Sequence, residues 1–231
     1  MRSLVMPTDS APTARRRSRA LRSDAVANRE KILTVAAELI SQRGPHVPLA
    51  EIAEAAGVGV GTLYRGWSDR VALLHTLEHR AYDQLIAILD RIEDAGQTGA
   101  DAVETYLHES LNLGDQLVLP LRGAPPLFDK DAIAARARIF AALERFLDDG
   151  KRNGNVRFDV HASDVVYCAS QITNPAPDTP ALQKLARRHI ALFVHSIRSP
   201  ADQPLAESAV SPRDIEKSLA KRASRFGKPD H

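Results

Sequence analysis

The sequence predicts an all-α protein: a small N-terminal helical unit joined by a long helix to a larger helical body. Three observations predict it. Apolar residues recur with helical spacing in segment after segment, and no stretch alternates apolar and polar residues long enough to make a useful strand. Glycine and proline mark most of the boundaries between these segments. The third is the stretch Leu49–Trp67, LAEIAEAAGVGVGTLYRGW, which reads as two short helices joined at Gly57. That is the helix-turn-helix pattern, whose second helix enters the major groove of DNA.

The elements follow in order. Residues 1–23 are rich in Pro, Ser, Thr and Arg and are expected to be disordered. Their cluster Arg15, Arg16, Arg17, Arg19 and Arg22 reads either as a solvated tail or as an arm laid on phosphates beside the reading helix. The first helix is expected over 24–43, with Asp24 as N-cap and the stripe Ile32, Leu33, Ala36, Leu39, Ile40 facing inward. Gly44-Pro45 ends it. Pro48 suits the first position of the second helix, where its missing N–H costs nothing. The third helix, opened by Gly59, is only about seven residues long, too short to persist without tertiary support. Leu63 and Trp67 supply its core side, which leaves Thr62, Tyr64 and Arg65 outward.

Asp69 is placed to cap a long fourth helix reaching Ile92 or Asp94, whose apolar set runs from Leu73 and Leu74 to Leu89 and Ile92. Four more helices are expected at 101–118, 129–150, 162–173 and 180–197. Asp129 and Ser163 are the candidate caps of the second and third, and Ile133, Ala137, Phe140, Leu143 and Leu147 the inward face of the second. The domain organisation expected is an arm at 1–23, a DNA-binding unit at 24–85 with its motif at about 48–67, a helical body at 86–199 and a disordered tail at 200–231. Within that tail, Arg213–Arg225 has the pattern of a marginal basic amphipathic helix.

Composition narrows the function. Hydrophobic residues are 44% of 231, enough for a substantial core, and the formal net charge is only +2. The charge is uneven: residues 1–31 hold eight Arg or Lys against three acids, whereas residues 81–199 hold thirteen against sixteen. A basic end on a mildly acidic body suits one end meeting a polyanion, and argues against a protein that coats DNA non-specifically. A single cysteine, Cys168, precludes an intramolecular disulfide or a Cys-based zinc site and suits a reducing compartment; it is expected to be a small buried hydrophobe. No signal-peptide core or membrane-length apolar run is present, so a cytoplasmic protein without a membrane partner is expected. His75 and His79 stand four apart, but without HExxH or a nearby Cys no metal site is expected. No nucleophile triad, P-loop or dinucleotide fingerprint stands out. No cofactor is therefore expected, and the competing reading, a helical enzyme with an accessory helix-turn-helix, has no catalytic constellation behind it.

Between Asn28 and about Leu85, the runs REKIL, AAELI, RG, EIAEAAGV, GTLYRGW and ALL, in that order and spacing, resemble the TetR/AcrR family of bacterial transcriptional regulators. GVGVGTLYR looks most like members with an SbtR-like C-terminal half. The resemblance implies a homodimer bound to double-stranded DNA at a near-palindromic operator, with the helices near 162–173 and 180–197 pairing as a four-helix interface. It implies that Gly59, Val60, Thr62 and Arg65 face DNA, that Tyr64 contacts phosphate, and that Arg70, in place of the usual lysine, does so too. Pro48 stands where a capping Ser or Thr is usual and Gly66 where His is common, so two phosphate contacts are missing. Trp67 replaces Phe and keeps the wedge. The arginine cluster is expected to offset the missing contacts. The resemblance also implies a small-molecule effector bound in the body, which lowers operator affinity and makes repression the expected role. Tyr106, Leu117, Phe128, Phe140, Tyr167 and Gln171 are the candidate pocket residues.

Overall fold

The computed structural model describes residues 11–122, 124–174, 176–198 and 203–226, with side chains from Asp24 to Arg222. Helices are α1 (Ala11–Arg43), α2 (Leu49–Ala55), α3 (Val60–Gly66), α4 (Arg70–Asp94), α5 (Gly99–Leu113), α6 (Lys130–Arg152), α7 (Ala162–Ile172), α8 (Pro180–Arg198) and α9 (Pro212–Phe226). Two 3-10 turns, Gly114–Gln116 and Pro120–Arg122, lie between α5 and α6. No strand occurs among the described residues.

Two apolar cores share one helix. The head core joins Ile32, Leu33, Ala36 and Ile40 of α1 to Leu49, Ile52 and Ala53 of α2, Leu63 of α3, Trp67, and Leu73, Leu74 and Leu77 at the start of α4. The body core begins one turn later, at Ala81 of α4, and takes in α5 to α8. Such a continuous helix transmits displacement between the two cores, because packed interiors resist local compression. The head is also seated on the body: Val118 and Ala124, from the segment joining α5 to α6, are buried in the head core.

Local chemistry explains the boundaries. Gly57 adopts φ +63° between α2 and α3, a left-handed turn that a side chain disfavours. Asp69 caps α4 by accepting the Ala72 N–H at 2.8 Å, and Asp129 caps α6 through the N–H groups of Asp131 and Ala132. Gly99 and Gly150 bring the start of α5 against the end of α6, where a Cβ on Gly150 would fall 2.8 Å from the Gly99 Cα.

Several expectations change. α1 begins at Ala11, so Asp24 lies within a helix rather than at its cap, and the backbone of the arginine cluster is helical where a disordered arm was expected. Ala, Arg and Leu are strong helix formers, and no glycine interrupts residues 13–43. Residues 1–10 lie outside the described residues. Pro48 precedes α2 at its N-cap position. α5 stops at Leu113 because Gly114 turns to φ +50°, which places Leu117 and Val118 outside the helix. On α6 the inward face is Ala132, Arg136, Ile139, Leu143 and Phe146, while Ile133 and Ala137 are exposed. Ser163 does not cap α7; Asp164 accepts the His161 N–H and Glu144 the Ala162 N–H, both at 2.8 Å. The tail carries α9, which docks on the body with Leu219 only 3% exposed.

Candidate nucleic-acid interface and effector cleft

α3 presents its expected outer face. Val60, Tyr64 and Arg65 are exposed, Tyr64 by 52%, while Leu63 is fully buried. Arg65 donates from Nη2 to Thr62 Oγ1 at 2.9 Å, so the two side chains form one polar ledge. Gly59 is exposed at the N-cap, and nothing lies within 4 Å of a Cβ built on Gly61. Trp67 pins the end of α3. Its indole N–H donates to Thr76 Oγ1 of α4 at 2.8 Å, and the Arg29 guanidinium of α1 lies 4.4 Å from its ring centroid. The seven-residue helix is thereby held from two sides, as its length requires. Arg70 is half-buried in the first turn of α4. The side chains of Arg15, Arg16, Arg17, Arg19 and Arg22 lie outside the described residues.

The second site is a cleft in the body. Leu85, Tyr106, Leu117, Leu119, Ile139, Phe140 and Val166 give it apolar walls, and Ile215 and Leu219 of α9 cover it. Its free volume is about 70 Å³. Of the candidate pocket residues, Tyr106, Leu117 and Phe140 share the walls of this cleft. Phe128, Tyr167 and Gln171 do not line the cleft. Phe128 lies beside the Arg136 guanidinium on the protein's outside, and Tyr167 and Gln171 point outward from α7, Tyr167 being 60% exposed.

One wall of the cleft is charged, which sequence reasoning missed. Arg136, 8% exposed at its side chain, makes a two-pronged contact with Glu216 of α9, Nε–Oε1 at 2.5 Å and Nη2–Oε2 at 2.9 Å. Its Nη1 donates to Tyr82 Oη at 3.2 Å and to the Leu127 carbonyl at 3.0 Å, and lies 3.6 Å from Glu78 Oε1. Tyr82 in turn donates to Glu78 at 2.7 Å. Burial pushes the Glu78 carboxyl up to about 7, outweighing the hydrogen bonds from Tyr82 and the Leu127 N–H and the charge of Arg136. Burial alone would lower Arg136, but hydrogen bonds to Glu216 and Tyr82 hold it above the usual arginine value. Arg122, at the other end of the cleft, donates to the carbonyls of Gly114, Leu117 and Thr173. Burial brings it down to about 10, and its Nε is buried with no partner among the described residues.

The sequence profile of the tetR family of bacterial regulatory proteins matches residues 32–77, the span from α1 to the first part of α4. The head is a TetR-family DNA-binding unit. A TetR transcription regulatory protein from Mycobacterium vanbaalenii is 26% identical, with a TM-score of 0.52 over 78% of this chain and 99% of that one. An HTH-type transcriptional regulator of Staphylococcus aureus is 30% identical over 88 residues, 38% of this chain and 48% of the relative. The chain spans about half the length of the curated relatives it matches. AibR, solved with isovaleryl coenzyme A and operator DNA, shares the fold at 18% identity, with a TM-score of 0.60 over 75% of this chain and all of that one.

The matched profile is one of regulatory proteins and the curated relatives are transcriptional regulators. The profile ends at residue 77, so nothing in it bears on an SbtR-like C-terminal half. Among the described residues no three His, Cys, Asp or Glu gather as a metal set, and no helix is long and apolar enough to cross a membrane. Cys168 is half-buried and its thiol is pushed up to about 11 by burial, the state of an unreactive packing residue.

Proposed function

We propose that this TetR-family chain is a DNA-binding transcriptional regulator that represses from a near-palindromic operator as a homodimer and releases it when a small molecule enters the body cleft. The observation that carries the reading is the mounting of α3: an outer face of exposed Val60, Tyr64 and Arg65 with half-buried Thr62, fixed through Trp67 to α4, the helix that also forms a wall of the cleft. Val60 and the Thr62–Arg65 ledge suit base edges, and Tyr64 and Arg70 suit phosphates. The run from Arg15 to Arg22 carries five arginines on the N-terminal extension of α1, a source of positive charge for phosphate contacts. AibR, with an acyl coenzyme A and operator DNA bound, supports the pairing of a DNA site with an effector site on this fold.

The dimer rests on the outer face of α7 and α8, where Tyr167, Leu182, Leu185 and Leu192 are all about half exposed. Apolar side chains grouped so on one helix pair suit a two-fold, self-complementary contact. Ligand binding acts only through a difference in affinity between the DNA-competent and released states. The test is a gel shift with the DNA upstream of the chain's own gene, together with in vitro selection from random duplexes. A specific, salt-sensitive shift is expected. The absence of any preferred sequence would overturn the reading.

A further inference from the structure

We propose that α9 is a built-in occupant of the effector cleft, and that the effector is a small carboxylate with an apolar tail that takes the place of Glu216 on Arg136. The proposal rests on the effector-responsive reading above and names the chemistry of that site.

The cleft is apolar along its length, with Arg136 at one wall and Arg122, bound to three backbone carbonyls, at the other end. Arg136 is fixed at its wall by Tyr82 Oη and the Leu127 carbonyl, whereas its carboxylate partner arrives on a separate helix. The two partners are unequally held: the Arg136 side chain is 8% exposed and that of Glu216 is 33% exposed. The acid therefore sits at the mouth and the base at the wall. Ile215 and Leu219 rest on the apolar wall, and Arg222 Nη1 donates to the Pro120 carbonyl at 3.2 Å, while Arg213, Lys217, Ser218 and Ala220 are exposed. In effect α9 offers the cleft an aliphatic surface followed by a carboxylate.

With α9 in place, the free space of about 70 Å³ is far below the roughly 300 Å³ at which ligand pockets begin. A ligand must move α9 to enter. Departure of Glu216 without replacement leaves Arg136 with the Tyr82 hydroxyl and the Leu127 carbonyl but no carboxylate within hydrogen-bond distance, Glu78 standing at 3.6 Å, which is costly for a guanidinium. An incoming carboxylate removes that cost; an alcohol or an amine does not. Because Glu78 belongs to α4, any change in what Arg136 holds is felt on the helix that carries the reading head.

The test uses the full chain without DNA. Calorimetric titration compares octanoate with 1-octanol and octylamine, and straight-chain acids from butanoate to dodecanoate extend the series. Amide hydrogen exchange over residues 212–222 reads α9. Octanoate is expected to bind at least about tenfold more tightly than either comparator and to deprotect 212–222. Glu216→Gln, a change at a half-buried position, should raise exchange of the same segment without ligand and tighten octanoate by about tenfold, because a competing occupant has been weakened. Equal binding of octanol, binding of octanoate with α9 still protected, an unchanged Glu216→Gln protein, or no binding by any acid of the series would each overturn the proposal. Operator binding by the ligand-free chain is measured separately. Failure there sinks the regulator reading while capture of octanoate stands, and the converse result sinks only the carboxylate proposal.

Discussion

Replacing Glu78 by glutamine should make the protein's stability less dependent on pH between 4.5 and 7.5. The side chain is 1% exposed, accepts the Tyr82 hydroxyl at 2.7 Å, and lies 3.6 Å from Arg136. Its carboxyl moves from about 4.5 in the unfolded chain to about 7 when folded, chiefly through burial. A carboxyl raised on folding favours the folded state while it is protonated. Its contribution is therefore complete below the unfolded value and is lost as pH rises toward the folded one. A shift of that size corresponds to about 3 kcal/mol, nearly all of it lost by pH 7. Glutamine mimics the protonated form at every pH. Urea unfolding of both proteins from pH 4.5 to 8.5 should show the parent losing about 3 kcal/mol relative to Glu78→Gln across the lower part of that range, then running parallel above pH 7.5. Parallel curves throughout would refute the reasoning, because they would show a Glu78 ionised in both states.

Other predictions concern the head and the dimer. Gly61→Ala should stabilise the free protein by about 0.5 kcal/mol, since its Cβ meets nothing within 4 Å, yet weaken operator binding; a higher melting temperature with unchanged affinity would exclude a close backbone approach there. Trp67→Phe should cost about 1–2 kcal/mol in urea unfolding through loss of the bond to Thr76 and weaker stacking of Arg29, and a cost under about 0.5 kcal/mol would mean that the indole N–H bond contributes little. Leu185→Glu with Leu192→Glu should yield a folded monomer by sedimentation with unchanged helical circular dichroism; a persisting dimer would place the interface elsewhere. Changing Arg15, Arg16, Arg17, Arg19 and Arg22 together to Gln should flatten the salt dependence of operator binding, by about 0.9 in slope for each phosphate no longer neutralised, and an unchanged slope would leave that run without a role on DNA.

The head was legible from sequence because its signals are local. Gly57, the periodic Leu49, Ile52 and Ala53, and the Leu63–Trp67 pair each act within a few residues, and each takes the expected position. The cleft was only half legible. An apolar stripe along α6 selects Ile133 and Ala137 and treats Arg136 as surface, yet Arg136 is the buried residue. Its inward turn depends on Glu216, 80 positions away in the chain, and on Glu78 of another helix, pairings that no local pattern displays. The same distance hid α9. Ile215 and Leu219 have helical spacing, but whether they dock depends on a groove made by α4 to α7. Tyr167 and Gln171 read as pocket residues from sequence because aromatic and amide side chains suit ligands. Their side of α7 is instead the outer one.

Leu117 and Val118 are consecutive in the segment that joins α5 to α6, and they serve different cores: Leu117 lines the cleft, and Val118 is buried among the head residues. One peptide unit therefore separates the chamber wall from the packing beneath the DNA reader. A molecule that shoves Leu117 aside drags Val118 by the same covalent linkage, since a trans peptide fixes neighbouring Cα atoms about 3.8 Å apart. Communication between chamber and reader then has a second route besides the long α4 shaft. It works like a push-rod of two residues, and its length leaves no slack to absorb the stroke.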